Sequence, residues 1–233
     1  QGNYYNPVFI QMDGTRKRVE GYATDLTTDK ALTWLGTRDK SKPFFLMCQH
    51  KAPHRTWMPA LRHLHTYDDI TIPEPDTLFD TYQDNASPAH IQELEIDRHM
   101  HLNFDLFVDL DAGFDGNAVK GRFDKSAWRN MQRMTEQQLK VWHEAYDPKD
   151  KAFHKARLTA DGLVRWKFQR YAKNYLRCIK GVDESVGRLM ATLEELNLDE
   201  NTVVIYSSDQ GFYVGDHGWY DKRWMYDESL KMP

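Results

Sequence analysis

Six side chains carry the chemistry legible in this sequence: His54, Asp209, Gln210, Asp216, His217 and Lys222. Asp209 and Gln210 follow the apolar run Val203-Val204-Ile205-Tyr206, inside the polar turn Ser207-Ser208-Asp209-Gln210-Gly211. In α/β sheets, sites form at the carboxyl ends of strands, where side chains leave a rigid support. A carboxylate and an amide carbonyl supply two hard oxygens, which suit calcium or magnesium and not zinc. Thirteen residues after Asp209, beyond a Gly-rich turn holding Asp216 and His217, comes Lys222. A lysine in a water-poor site neutralises charge on an oxyanion, and a histidine hydrogen-bonds one. His54 ends the segment His50-Lys51-Ala52-Pro53-His54, which follows a second apolar run. Together these residues read as a metal-assisted hydrolase of anions. Each also has a plainer reading. Asp209 suits a turn, His54 can be satisfied structurally, and Lys222 lies among Asp216, His217, Asp221 and Arg223 as on a solvated surface. The aromatics Trp219, Tyr220, Trp224 and Tyr226 could wall a pocket or simply pack.

Positioning such residues needs a scaffold of strands and helices. Residues 8–11 and 17–20 flank the turn Asp13-Gly14 and predict a hairpin. Thr24 or Asp25 is expected to cap a helix through Leu26, Ala31, Leu32 and Leu35, with Gly36 as its stop. Residues 44–48, Phe-Phe-Leu-Met-Cys, form a continuous apolar run that predicts a parallel strand buried on both faces. Residues 60–93, with Pro73, Pro75 and Pro88, read as a long surface excursion. Residues 94–160 carry two or three short helices, one of them capped by Thr135. From about Leu163 to Leu196 the apolar spacing predicts one long helix, broken near Gly181. A strand over 202–207 follows. The order helix, strand, long insertion, helix, strand is that of an α/β sandwich.

Composition bounds the partners. The 233 residues are 40% hydrophobic and 28% charged, with a net charge of −4. That balance gives no electrostatic case for nucleic acid or an anionic membrane, and no stretch is apolar enough for a membrane span. Cys48 and Cys178 sit in apolar surroundings and read as buried thiols, too few for a disulfide framework. The start Gln1-Gly2-Asn3-Tyr4-Tyr5-Asn6-Pro7 and the end Leu230-Lys231-Met232-Pro233 read as interior sequence, so a fragment is expected.

Three blocks, in order and at matching spacing, resemble the second half of the type I sulfatase catalytic domain. They are Lys42-Pro43-Phe44-Phe45-Leu46 with His50 to His54; residues 175–189 with the strand after them; and Ser208-Asp209-Gln210-Gly211 with Gly215-Asp216-His217-Gly218 and Lys222. Residues 2–7, 21–26 and 163–171 are similar to the bacterial branch of N-acetylglucosamine-6-sulfatases. The resemblance implies an alkaline-phosphatase-like α/β sandwich, a mostly parallel sheet flanked by helices and incomplete here. Residues 1–233 would be part of one catalytic domain with an insertion at 60–160, and with segments missing before 1 and after 233. It further implies calcium, or alternatively magnesium, at Asp209 and Gln210, the latter where many relatives have Asn or His. His54 would bind sulfate, Lys222 the bridging oxygen, and Asp216 and His217 the substrate. The partner is a sulfated saccharide, and the compartment periplasmic or extracellular. The family's nucleophile is a formylglycine made within a Cys/Ser-x-Pro-x-Arg segment, which these 233 residues do not contain. It is expected in the missing amino-terminal part, and this chain alone is expected to be inactive. The competing expectations are a phosphodiesterase or phosphonate hydrolase of the same superfamily, disfavoured by Lys222, and a glycan-binding module without catalysis.

Overall fold

The computed structural model describes residues 2–108 and 122–232. Residues 109–121 of the expected insertion lie outside the described residues. The chain opens with the predicted hairpin, β1 (Val8–Ile10) paired antiparallel to β2 (Arg16–Arg18). Gly14 takes the left-handed turn at φ +82°, and Asp13 accepts from the Thr15 N–H at 2.9 Å.

Helix α1 (Ala23–Thr37) buries Thr24, Thr28, Ala31 and Leu35, one face at helical spacing, against α5 (Ala160–Glu195). Two boundary expectations are corrected. Tyr22, not Thr24 or Asp25, precedes the first helical turn, and Gly36 lies inside the helix. The helix ends because Arg38 turns extended into a loop closed by Asp39, which accepts from the Ser41 N–H at 3.0 Å. Helix α4 (Glu136–Ala156) starts at Thr135 with a capping box closed by Gln138, as its sequence requires, and runs on through Pro148 to 21 residues. Shorter elements are α2 (Ser87–Ile91) and α3 (Arg122–Met131).

Helix α5 is one continuous helix of 36 residues, with no break at Gly181. A Cβ on Gly181 would touch the Tyr22 ring at 3.5 Å, so this glycine admits a close neighbour and does not interrupt the helix. Its buried face carries Val164, Phe168, Tyr171, Ala172, Cys178 and Val182, interleaved with Lys167, Arg170, Asn174 and Arg177. Those cations are spent on main-chain carbonyls of the segment before α3. Lys167 donates to Asp97 (2.5 Å), Arg170 to Leu106 (3.0 Å) and Arg177 to Thr66 (2.8 Å). Residues 60–93, the expected surface excursion, are largely exposed and send Leu64 and Leu78 inward. Residues 94–108 carry Ile96, Leu106, Phe107 and Val108 into the core, where α5 side chains bond their irregular backbone.

The two expected sheet strands do not form among the described residues. Residues 44–48 and 203–206 have no ladder partner, and Phe45 and Ile205 are each 83% exposed. An apolar run becomes a strand only where a neighbour offers its own N–H and C=O groups, and none of the described segments does. The second hairpin, β3 (Tyr213–Val214) with β4 (Tyr220–Asp221), and the short α6 (Asp227–Leu230) complete the chain. Among the described residues no helix is long and apolar enough to cross a membrane.

Candidate functional site

Two segments build the site: 50–59 and 212–223. Three tyrosines hold the first by its carbonyls. Tyr4 donates to His54 O (2.8 Å), Tyr22 to Met58 O (3.0 Å), and Tyr5 to Pro59 O. Trp57 is fully buried against Tyr171, 4.5 Å between rings, and meets Phe212 and Tyr220 edge-on. Arg55 grips Asp105 through two bonds of 2.6 and 2.7 Å, and Asp105 also accepts from the His101 N–H. The carboxylate is completely enclosed.

The second segment is anchored by Tyr171, whose hydroxyl donates to Tyr213 O at 2.7 Å, and by the Tyr220 N–H to Leu94 O at 2.9 Å. The turn between β3 and β4 needs Gly215. Its φ is +104°, and a Cβ there would lie 2.6 Å from the Phe168 ring. Asp221 follows, buried and with φ +71°. Among the described residues its Oδ1 has no hydrogen-bond partner; it lies 3.7 Å from Lys222 Nζ, while Arg223 reaches Oδ2 at 3.4 Å.

Of the predicted residues, the structure brings His54 and Lys222 into one electrostatic cluster, with Lys51 and Asp221. Burial lowers the His54 pKa, and the charges of Lys222 and Lys51 lower it further against the pull of Asp221. The His54 Nδ1 lies 2.7 Å from Arg55 O. A carbonyl only accepts, so Nδ1 carries the proton and a neutral His54 presents the lone pair of Nε2. That lone pair repels an anion, and a proton on it attracts one. Inorganic sulfate, titrated by calorimetry into the natural full-length polypeptide, should therefore bind more tightly as pH falls through a value below the ordinary imidazole range. The same protonation, without sulfate, costs stability, because between the lowered pKa and about 6.5 the unfolded chain binds more protons than the folded one. Affinity that is flat from pH 8 to 5 would remove His54 from the anion site.

Asp216 and His217 are placed differently. His217 Nδ1 pairs with Asp80 at 2.9 Å, its N–H donates to Thr77 Oγ1, and its carbonyl accepts from Tyr82 at 2.6 Å. Burial would raise the Asp80 pKa, but bonds from His217 and the Tyr82 N–H leave it lowered. Asp216 accepts through its carbonyl from the Trp219 N–H. These contacts fasten the turn before Lys222 to residues 77–82, and none reaches residues 50–55. Asp209 is exposed and Gln210 half-buried; their oxygens are of the right type for a hard cation. Among the described residues no three His, Cys, Asp or Glu side chains gather to hold a metal. The donor type fits, and the donor count is incomplete.

The sequence reading gave no role to Lys51, Asp221 or the Arg55–Asp105 pair. Lys51 lay inside a segment already singled out, and its place three residues before His54 was the available signal.

Comparison with known proteins places these observations. The sulfatase family model matches residues 1–233. An N-acetylglucosamine-6-O-sulfatase of Bacteroides thetaiotaomicron is 39% identical over the whole chain, and the chain spans 41% of that relative's length. An N-acetylglucosamine-6-sulfatase of Bos taurus is 24% identical over 99% of the chain, which spans 30% of it. The solved structure of BT4656 in complex with its substrate D-glucosamine-2-N,6-O-disulfate superposes with a TM-score of 0.90 at 39% identity, covering all of this chain and 46% of that one. The shared fold is the alkaline-phosphatase-like mixture of helix and sheet.

Proposed function

The chain belongs to the sulfatase family, and on that premise we propose that its natural full-length polypeptide hydrolyses the 6-O-sulfate ester of glucosamine-type sugars. The observation that carries the reading is the cluster of Lys222, Lys51 and His54 around the buried Asp221, in a chain 39% identical to a sulfatase with that specificity. In this reading Lys222 faces the bridging oxygen and offsets the charge that develops as the ester bond breaks, and His54, once protonated at Nε2, hydrogen-bonds the sulfate. Asp216 and His217 support the turn that carries Lys222, a reading their contacts favour over direct touch with the sugar. Asp209 and Gln210 would contribute hard oxygens to a calcium site completed by groups beyond the described residues. Calcium, when bound, would neutralise sulfate charge. The formylglycine nucleophile would likewise come from outside residues 1–233, and export to the periplasm or the medium belongs to the same reading.

The test is direct. The purified full-length polypeptide should release sulfate from N-acetylglucosamine-6-sulfate and from glucosamine-2-N,6-O-disulfate, read by ion chromatography. Chelation should abolish release and added calcium restore it. Release from neither sugar, with the protein folded and calcium present, would end this proposal.

A further inference from the structure

We propose that Lys51 is a second ammonium contact for the sulfate group, a substrate-positioning residue beside His54 and Lys222. The proposal rests on the sulfatase reading and adds to it the group that fixes the anion before chemistry begins. Lys51 is half-buried, and its ammonium sits 4.3 Å above the Tyr4 ring. The same tyrosine donates its hydroxyl to His54 O, and the His54 N–H donates to Lys51 O at 3.0 Å. One tyrosine and one turn therefore set Lys51 and His54 in fixed relation.

Other inward lysines show what this chain does when such a residue is purely structural. Lys167 donates to the carbonyls of Ile96 and Asp97, and Lys149 to Leu64 O and Asp68. Lys51 is half-buried, yet among the described residues it has no hydrogen-bond acceptor and no carboxylate partner. A ring face satisfies a cation only in part, and a half-buried ammonium gains from an acceptor. Burial, and secondarily the charge of Lys222, bring its pKa down to about 8. Around the cluster stand two ammonium groups, the neutral His54 and one carboxylate, Asp221. With the Arg223 guanidinium at Asp221 Oδ2 added, the local charge is positive and draws the anion of a sulfate monoester. Sulfate oxygens are the acceptors this lysine lacks.

The experiment compares wild type with Lys51→Met and Lys51→Gln in the natural full-length polypeptide, the glutamine variant serving if the methionine variant fails to fold. Loss of one charged hydrogen bond to a bound anion should raise KM for N-acetylglucosamine-6-sulfate about 10- to 100-fold and weaken inorganic sulfate binding by a similar factor. Turnover at saturation should change far less, because Lys51 holds the ground-state anion as firmly as the transition state. The Lys51 ammonium, followed by nitrogen NMR in wild type, should titrate at higher pH once sulfate is added. Unchanged KM and sulfate affinity in a folded variant would make Lys51 a structural lysine, whatever the enzyme's substrate. Should wild type release no sulfate from any sugar yet bind inorganic sulfate in a Lys51-dependent way, the functional reading fails and this site stands.

Discussion

Replacing Lys222 by Gln in the natural full-length polypeptide should lower kcat on N-acetylglucosamine-6-sulfate by about 10²–10³-fold, the range expected when one preorganised stabiliser of a developing oxyanion is lost. KM should move much less, because the lysine's proposed partner, the bridging oxygen, gains charge only as the bond breaks. Gln is preferred to Ala because it keeps a donor beside Asp221, whose Oδ1 is buried 3.7 Å from the Lys222 ammonium and lacks a hydrogen bond. The fold should survive, with a thermal midpoint within a few degrees of wild type. A kcat within threefold of wild type would show that the cation of this cluster does not act on the leaving group.

The second large effect falls on stability. Among the described residues Arg55→Met leaves the enclosed carboxylate of Asp105 with only the His101 N–H, and stranding one partner of a buried pair costs about 3–5 kcal/mol. The double variant Arg55→Met with Asp105→Leu should recover most of that loss, since two apolar groups leave nothing unpaired. Urea unfolding of the single and double variants decides it. Equal destabilisation in both would mean that the guanidinium matters through its packing on Phe104 and Tyr220 and not through its charge. Both variants keep the backbone carbonyl of residue 55 to which His54 Nδ1 bonds.

What the sequence disclosed was local. Asp13-Gly14 announced the first hairpin, Thr135 with Gln138 announced α4, and the apolar period of residues 163–196 announced α5, because each depends on neighbours a few residues away. The strands at 44–48 and 203–206 depend on ladder partners that no local pattern supplies. Residues 94–108 looked polar, and their burial is fastened by Lys167 and Arg170, 70 and 64 residues downstream. In the site, Lys222 and His54 stood out by motif. The tyrosines that aim the 54–59 carbonyls did not, because a tyrosine read in sequence is an aromatic, and its hydroxyl gains meaning only from the carbonyl it meets. The clamp of Asp80 and Tyr82 on His217 was hidden for the same reason, its partners being 135 and more residues apart.

The bonds from α5 to carbonyls of the 60–108 segment also bear on how the chain is made. Thr66 leaves the ribosome 111 residues before Arg177, which donates to its carbonyl. At ordinary synthesis rates that interval lasts roughly 5–20 s, during which Leu64, Leu78 and Ile96 have no helix to cover them. Until α5 emerges this apolar surface stays uncovered, and rare codons placed before residue 160 would prolong its exposure.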